Sequence, residues 1–110
     1  MKYFLKNSNI QIDQEGYLYN HQEWNIKIAE KIAEQESIQL TFEHWEIIYF
    51  IRNFYFKYQT TPSMRMLFKT IQNTNKEKKI TSIYLYKLFP KGPAYQASKI
   101  AGIPKPYHCL

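Results

Sequence analysis

The chain has 110 residues, 45% of them hydrophobic and 17% aromatic, and a formal net charge of +6. This composition suits one packed domain, is too short for two, and is too apolar for a disordered chain. No apolar run reaches the roughly 20 residues that span a bilayer, and the opening Met1-Lys-Tyr-Phe-Leu-Lys-Asn7 turns polar too quickly for a secretory leader.

The single cysteine, Cys109, excludes an internal disulfide and gives no sign of an oxidising compartment, so a cytoplasmic protein is the expectation. Charge is divided unevenly. Residues 1–45 carry four lysines against seven acids, and residues 46–110 carry eleven Lys and Arg against Glu46 and Glu77. The basic half should meet something negative, either nucleic acid or an acidic protein surface.

In chain order, Tyr3–Lys6 and Ile10–Ile12 read as two short strands around the turn residues Asn7-Ser-Asn9, and Tyr17–Tyr19 as a third strand after the turn Asp13–Gly16. A hairpin this small must pack on whatever follows it. Asn25 is placed to cap a helix over about 26–36, with Ile28, Ala29, Ile32 and Ala33 at helical spacing. Trp24 then suits a hydrophobic staple onto Ile28 or Ala29. Lys27, Glu30, Lys31 and Glu34 form that helix's wet face.

Thr41 caps a helix running from Phe42 to Tyr58, with Glu43 at its positive end. Its apolar residues nearly encircle the axis, leaving Glu46, Asn53 and Lys57 as the polar stripe, which predicts a buried central helix. His44 has no histidine or cysteine at ligand spacing, so no metal site is expected there. After the break Gln59-Thr-Thr61, Pro62 suits the first helical position of a segment that turns Met64, Leu67, Phe68 and Ile71 inward. Arg65, Lys69, Gln72 and Lys76 share its outer face. A helix, a short turn and a second basic helix also fit a helix-turn-helix DNA binder, although the turn lacks the usual glycine. Asn73–Lys79 reads as a polar loop and Ile80–Phe89 as a short helix stopped by Pro90. Pro93 and Gly102 bracket another helix with a small apolar face, Ala94, Ala97, Ile100 and Ala101.

The last eight residues, Ile103-Pro-Lys-Pro-Tyr-His-Cys-Leu110, then read as an arm. Pro104 and Pro106 hold their own φ and push Ile103 and Lys105 toward extended backbone, so a polyproline-like arm would project roughly 25 Å. Position alone leaves Cys109 either functional or incidental. No phosphate-binding glycine loop, carboxylate pair or Ser/His/Asp set is present, and no cofactor or metal is expected, so the candidate chemistry reduces to this thiol. Lys105 and His108 would favour its thiolate, and the neighbouring terminal carboxylate opposes them. With no second cysteine, the thiol suits mixed-disulfide exchange or carriage of a persulfide sulfur rather than self-contained redox chemistry.

One set of residues goes further. Tyr84-Leu-Tyr-Lys-Leu-Phe-Pro-Lys-Gly-Pro-Ala94, Gln96-Ala97, Lys99-Ile-Ala-Gly-Ile-Pro-Lys-Pro106 and Cys109 resemble the DsrC/TusE family. The resemblance extends upstream through Glu15–Leu18, Trp24, Glu43–Glu46, Thr61-Pro62 and Arg65–Leu67. It implies a single domain of α+β class, with a small N-terminal β-hairpin or meander on about five helices and an extended C-terminal arm over 103–110. DsrC-type members, partners of dissimilatory sulfite reductase, carry a second cysteine where this chain has Ser98, so an accessory role to that reductase is disfavoured. The resemblance is therefore to the TusE branch. It implies a sulfurtransferase that takes persulfide sulfur on Cys109 from a TusBCD complex, through its TusD subunit. The sulfur would pass to the thiouridylase MnmA for 2-thiolation of wobble uridine 34 in tRNA. It also implies that the basic half meets acidic TusBCD surface, or tRNA held by the thiouridylase.

Overall fold

The structure is a computed structural model that describes residues 2–74 and 79–106. Strands β1 (Tyr3–Phe4) and β2 (Gln11–Ile12) pair antiparallel, Tyr3 with Ile12 and Phe4 with Gln11. Lys6 and Ile10 belong to the turn rather than to the strands. There the Ser8 hydroxyl donates to the Leu5 carbonyl at 2.8 Å, and Leu5 N–H reaches the Ile10 carbonyl at 2.8 Å. The expected third strand shrinks to one bridge, Ile12 to Leu18, because Asp13 Oδ1 takes the Glu15 and Tyr17 amides at 2.9 Å and holds that segment in a turn. Leu5, Ile12, Tyr17 and Leu18 are buried. So small a sheet is stable only through that packing.

A 3₁₀ turn at His21–Glu23, capped by the Asn20 side chain, has no apolar periodicity and gave no signal in the sequence. Helix α1 (Ile26–Gln35) starts as expected, with Asn25 Oδ1 accepting from Ile28 N–H at 2.9 Å. Its buried face is Ile28, Ala29, Ile32 and Ala33. In helix α2 (Phe42–Tyr58), His44 Nδ1 accepts the Thr41 N–H at 3.1 Å. The ring hydrogen therefore lies on Nε2, which donates to the Leu88 carbonyl at 2.7 Å. Both nitrogens are used within the fold, and neither is left for a metal.

Helix α3 (Met64–Thr74) begins two residues after Pro62, because Ser63 Oγ takes the Met66 amide. Pro62 is thus a buried residue ahead of the helix, not its first position. Leu67 and Ile71 face the core with Met64 and Phe68 packed beside them. Helix α4 (Ser82–Leu88) starts later than its apolar pattern, since Thr81 Oγ1 caps it at the Tyr84 amide. Ile80 is buried outside that helix, with its N–H on Gln72 Oε1 at 2.9 Å.

Helix α5 (Pro93–Ile100) packs against α1, α2, α3 and α4. It, and not α2, is the central helix. Six of its eight residues are buried, whereas α2 buries only His44, Ile47, Ile48 and Ile51. The outer side of α2 exposes Phe42, Tyr49 and Phe56. The aromatic content of α2 does not report its depth, because a ring counts as apolar whether it meets core or water. The small residues Ala94 and Ala97 of α5, with Ala101 at its C-cap, let several helices approach one axis.

Candidate functional site

The arm leaves from the C-terminus of α5, and the departure is tightly built. Gly102 N–H donates to Lys99 O and Ile103 N–H to Ser98 O, both at 3.1 Å, a Schellman stop that needs the left-handed backbone of Gly102 (φ 71°). A Cβ on Gly102 would lie 2.3 Å from Trp24 Cδ1, so only glycine lets the indole lie against the chain. A helix end leaves carbonyls without intrahelical partners. Here side chains from distant segments take them. Trp24 Nε1–H donates to Ile100 O at 2.8 Å, Arg52 to Ala101 O at 2.7 Å and Thr61 Oγ1–H to Pro104 O at 2.7 Å. His21 Nδ1 lies 2.7 Å from Gly102 O. The Arg52 guanidinium also stacks 3.8 Å from the Trp24 ring centre, and its burial pulls its pKa down. Trp24 therefore acts on the end of α5, and Arg52 lies outside the polar stripe of Glu46, Asn53 and Lys57 that the sequence showed on α2.

The base of the arm is consequently fixed. Ile103 is 1% exposed and Pro106 is buried. Lys105 Nζ pairs with Glu15 Oε2 at 2.7 Å, and this hydrogen bond raises the lysine pKa. The expectation of a stalk projecting from Ile103 onward is corrected: residues 103–106 dock on the body, since Ile103 has core to enter and Pro104 an acceptor to offer. Cys109 and His108 lie outside the described residues. Three residues lead from Pro106 to Cys109, a reach of about 10 Å of extended backbone. Lys105 already has a carboxylate partner in Glu15, which no sequence pattern indicated.

Ser98 is fully buried on α5, and its Oγ has no hydrogen-bond partner among the described residues. A thiol, being a weak donor and acceptor, would rest there at little cost. Two residues earlier, Gln96 accepts the Lys91 amide and donates to Glu36, which also pairs with Lys99 at 3.2 Å. These contacts tie α5 to the end of α1. Of the basic face on α3, Arg65 and Lys69 are exposed, Gln72 is committed to Ile80, and Lys76 lies outside the described residues. No described group of three metal-ligating side chains exists, and no described helix is long and apolar enough to cross a membrane.

Residues 4–110 match the family model described as DsrC like protein. A sulfurtransferase TusE of Buchnera aphidicola subsp. Acyrthosiphon pisum is 61% identical over 102 residues, covering 93% of this chain and 90% of that protein. The sulfurtransferase TusE of Escherichia coli strain K12 is 50% identical over 106 residues, covering 96% and 97%. Among solved structures, the NMR structure of Allochromatium vinosum DsrC matches with a TM-score of 0.86 at 41% identity, over 99% and 97% of the two chains. The oxidized γ-subunit of the dissimilatory sulfite reductase (DsrC) from Archaeoglobus fulgidus matches at 0.81 and 35% identity, over the whole of both.

Proposed function

The chain belongs to the DsrC/TusE family, on its TusE branch, and from that premise we propose that it is a sulfur carrier whose working atom is Cys109 Sγ. The Cys109 thiolate attacks the outer sulfur of a donor persulfide. The donor's S–S bond breaks, its own thiolate leaves with the electron pair, and Cys109 becomes the persulfide. An acceptor thiolate reverses the exchange onto itself. Each step moves one sulfur with no net oxidation, so no cofactor is called for. The donor in this reading is a TusBCD complex acting through TusD. The acceptor is the thiouridylase MnmA, which places the sulfur at position 2 of wobble uridine 34 in tRNA, in the cytoplasm.

The observation that carries the reading is Ser98. A serine there cannot form a disulfide with the arm, so sulfur received by Cys109 has to leave to another molecule. The fixed base of the arm supports the same view, because residues 103–106 already rest on the body and add no ordering cost when a partner arrives. The experiment is reconstituted tRNA thiolation with TusBCD, MnmA and this protein. Cys109→Ser should lower 2-thiouridine formation to the level without the carrier. Full activity of that variant would overturn the assignment.

A further inference from the structure

The outer side of α2 continues directly into the base of the arm. Ile26, Tyr49 and Phe56 are 52%, 44% and 58% exposed. Tyr49 meets the Trp24 ring edge-on at 6.2 Å, and Arg52 lies between Trp24 and Phe56, 3.8 and 5.0 Å from their ring centres. Trp24, Ile26, Tyr49 and Arg52 line an open depression. Trp24 and Arg52 are the same side chains that hold the Ile100 and Ala101 carbonyls. Exposed apolar rings grouped in this way mark an interaction surface, and aromatic residues with arginine are the residue types that dominate binding at interfaces.

Chain length says what must cover it. With residues 103–106 docked, Cys109 stays within about 10 Å of backbone from Pro106. Any thiol exchanging sulfur with it has to enter that radius, and a protein bringing the thiol there must rest on the body around the arm's base. Among the described residues, two groups of side chains that meet that base differ sharply in character. One is polar and internally paired, through Glu15 with Lys105 and Glu36 with Lys99. The other is the aromatic face.

We propose that the face formed by Ile26, Tyr49 and Phe56 around Trp24 and Arg52 is the docking surface for a partner protein whose reactive cysteine lies beside an apolar patch. This rests on the sulfur-carrier reading and adds the side from which the partner approaches. A partner seated there contacts Arg52 and Trp24, and so touches the side chains that aim the arm.

The test compares Tyr49→Ser/Phe56→Ser, and separately Ile26→Ser, with the unaltered chain, after thermal melts show that each variant folds. Sulfur loading of Cys109 is followed by mass spectrometry from two donors, persulfidated TusBCD and glutathione persulfide. The double variant should raise KM for the protein donor about tenfold or more with kcat little changed, Ile26→Ser should shift it in the same direction, and loading by glutathione persulfide should stay the same. Unchanged KM overturns the docking surface while leaving the carrier reading intact. Equal loss with both donors also overturns it, showing an effect on the arm rather than on docking. A dimer of the unaltered chain that the double variant dissolves would assign the face to a second copy instead. Failure of unaltered Cys109 to load from either donor overturns the carrier reading itself and the proposal with it.

Discussion

Ser98 seals a hydroxyl inside the protein with no acceptor or donor among the described residues. Burying an unsatisfied hydroxyl costs roughly 1–3 kcal/mol. Ser98→Ala should therefore raise stability by about 1 kcal/mol, read as a higher urea midpoint at unchanged slope, and a loss of that size would show a hidden partner. Tyr17 presents a different case. It is 4% exposed, its hydroxyl donates to the Tyr95 carbonyl at 3.0 Å, and burial, followed by the charge of Glu15, pushes its pKa well above its ordinary value. Above about pH 10 the unfolded tyrosine ionises while the folded one keeps its proton, so the unfolded state gains and stability falls as pH rises. Urea titrations between pH 9.5 and 11 should show Tyr17→Phe losing less stability, by a slope difference that climbs toward about 1.4 kcal/mol per pH unit as pH passes 10. Identical slopes would contradict the burial argument. Residues whose partners lie nearby in sequence, such as Asn25 as a cap, were legible from the chain. Trp24, Arg52 and Thr61 were not, because their bonds reach carbonyls 43 to 76 residues away and leave no local periodicity.

Among the elements, α1, α3 and α5 showed their buried faces in the sequence through apolar spacing, and the capping residues of α1 and α2 marked their starts. The errors share one cause. Apolar pattern locates a face but not its depth, so α2 read as central when α5 is, and Ile80 read as helical when its side chain is simply buried in the approach to α4. At the junction of α5 with the arm, Gly102 marked the end of the helix in the sequence, but the burial of Ile103 that completes the Schellman stop did not show, since two prolines made the arm read as extended from that residue. The demands of this junction are the strictest. Gly102→Ala adds a left-handed alanine, costing about 1 kcal/mol, and a Cβ 2.3 Å from Trp24 that forces the indole away. We expect a total loss of about 2–4 kcal/mol by chemical denaturation, with faster hydrogen exchange at the Ile103 amide. Unchanged exchange there would mean that the stop does not depend on the glycine.

At the scale of the whole molecule, four helices converge on the fifth, α5, and side chains from Trp24, Arg52 and Thr61 hold the backbone between its end and the residues that lead to Cys109. Fold class and family were legible because local capping, apolar spacing and the motif from Tyr84 to Cys109 agree with one another. The side from which a partner approaches was not, since exposure of an aromatic residue is a tertiary property. This architecture is a fixed mount for residues 103–106, which lead to Cys109. The most direct measurement is the intact mass of the protein, with peptide assignment after alkylation, following incubation with persulfidated TusBCD. The protein should gain one sulfur atom on Cys109, removed by thiol reductant and absent in Cys109→Ser. A protein that gains no sulfur, or gains it equally in the serine variant, would contradict the carrier reading.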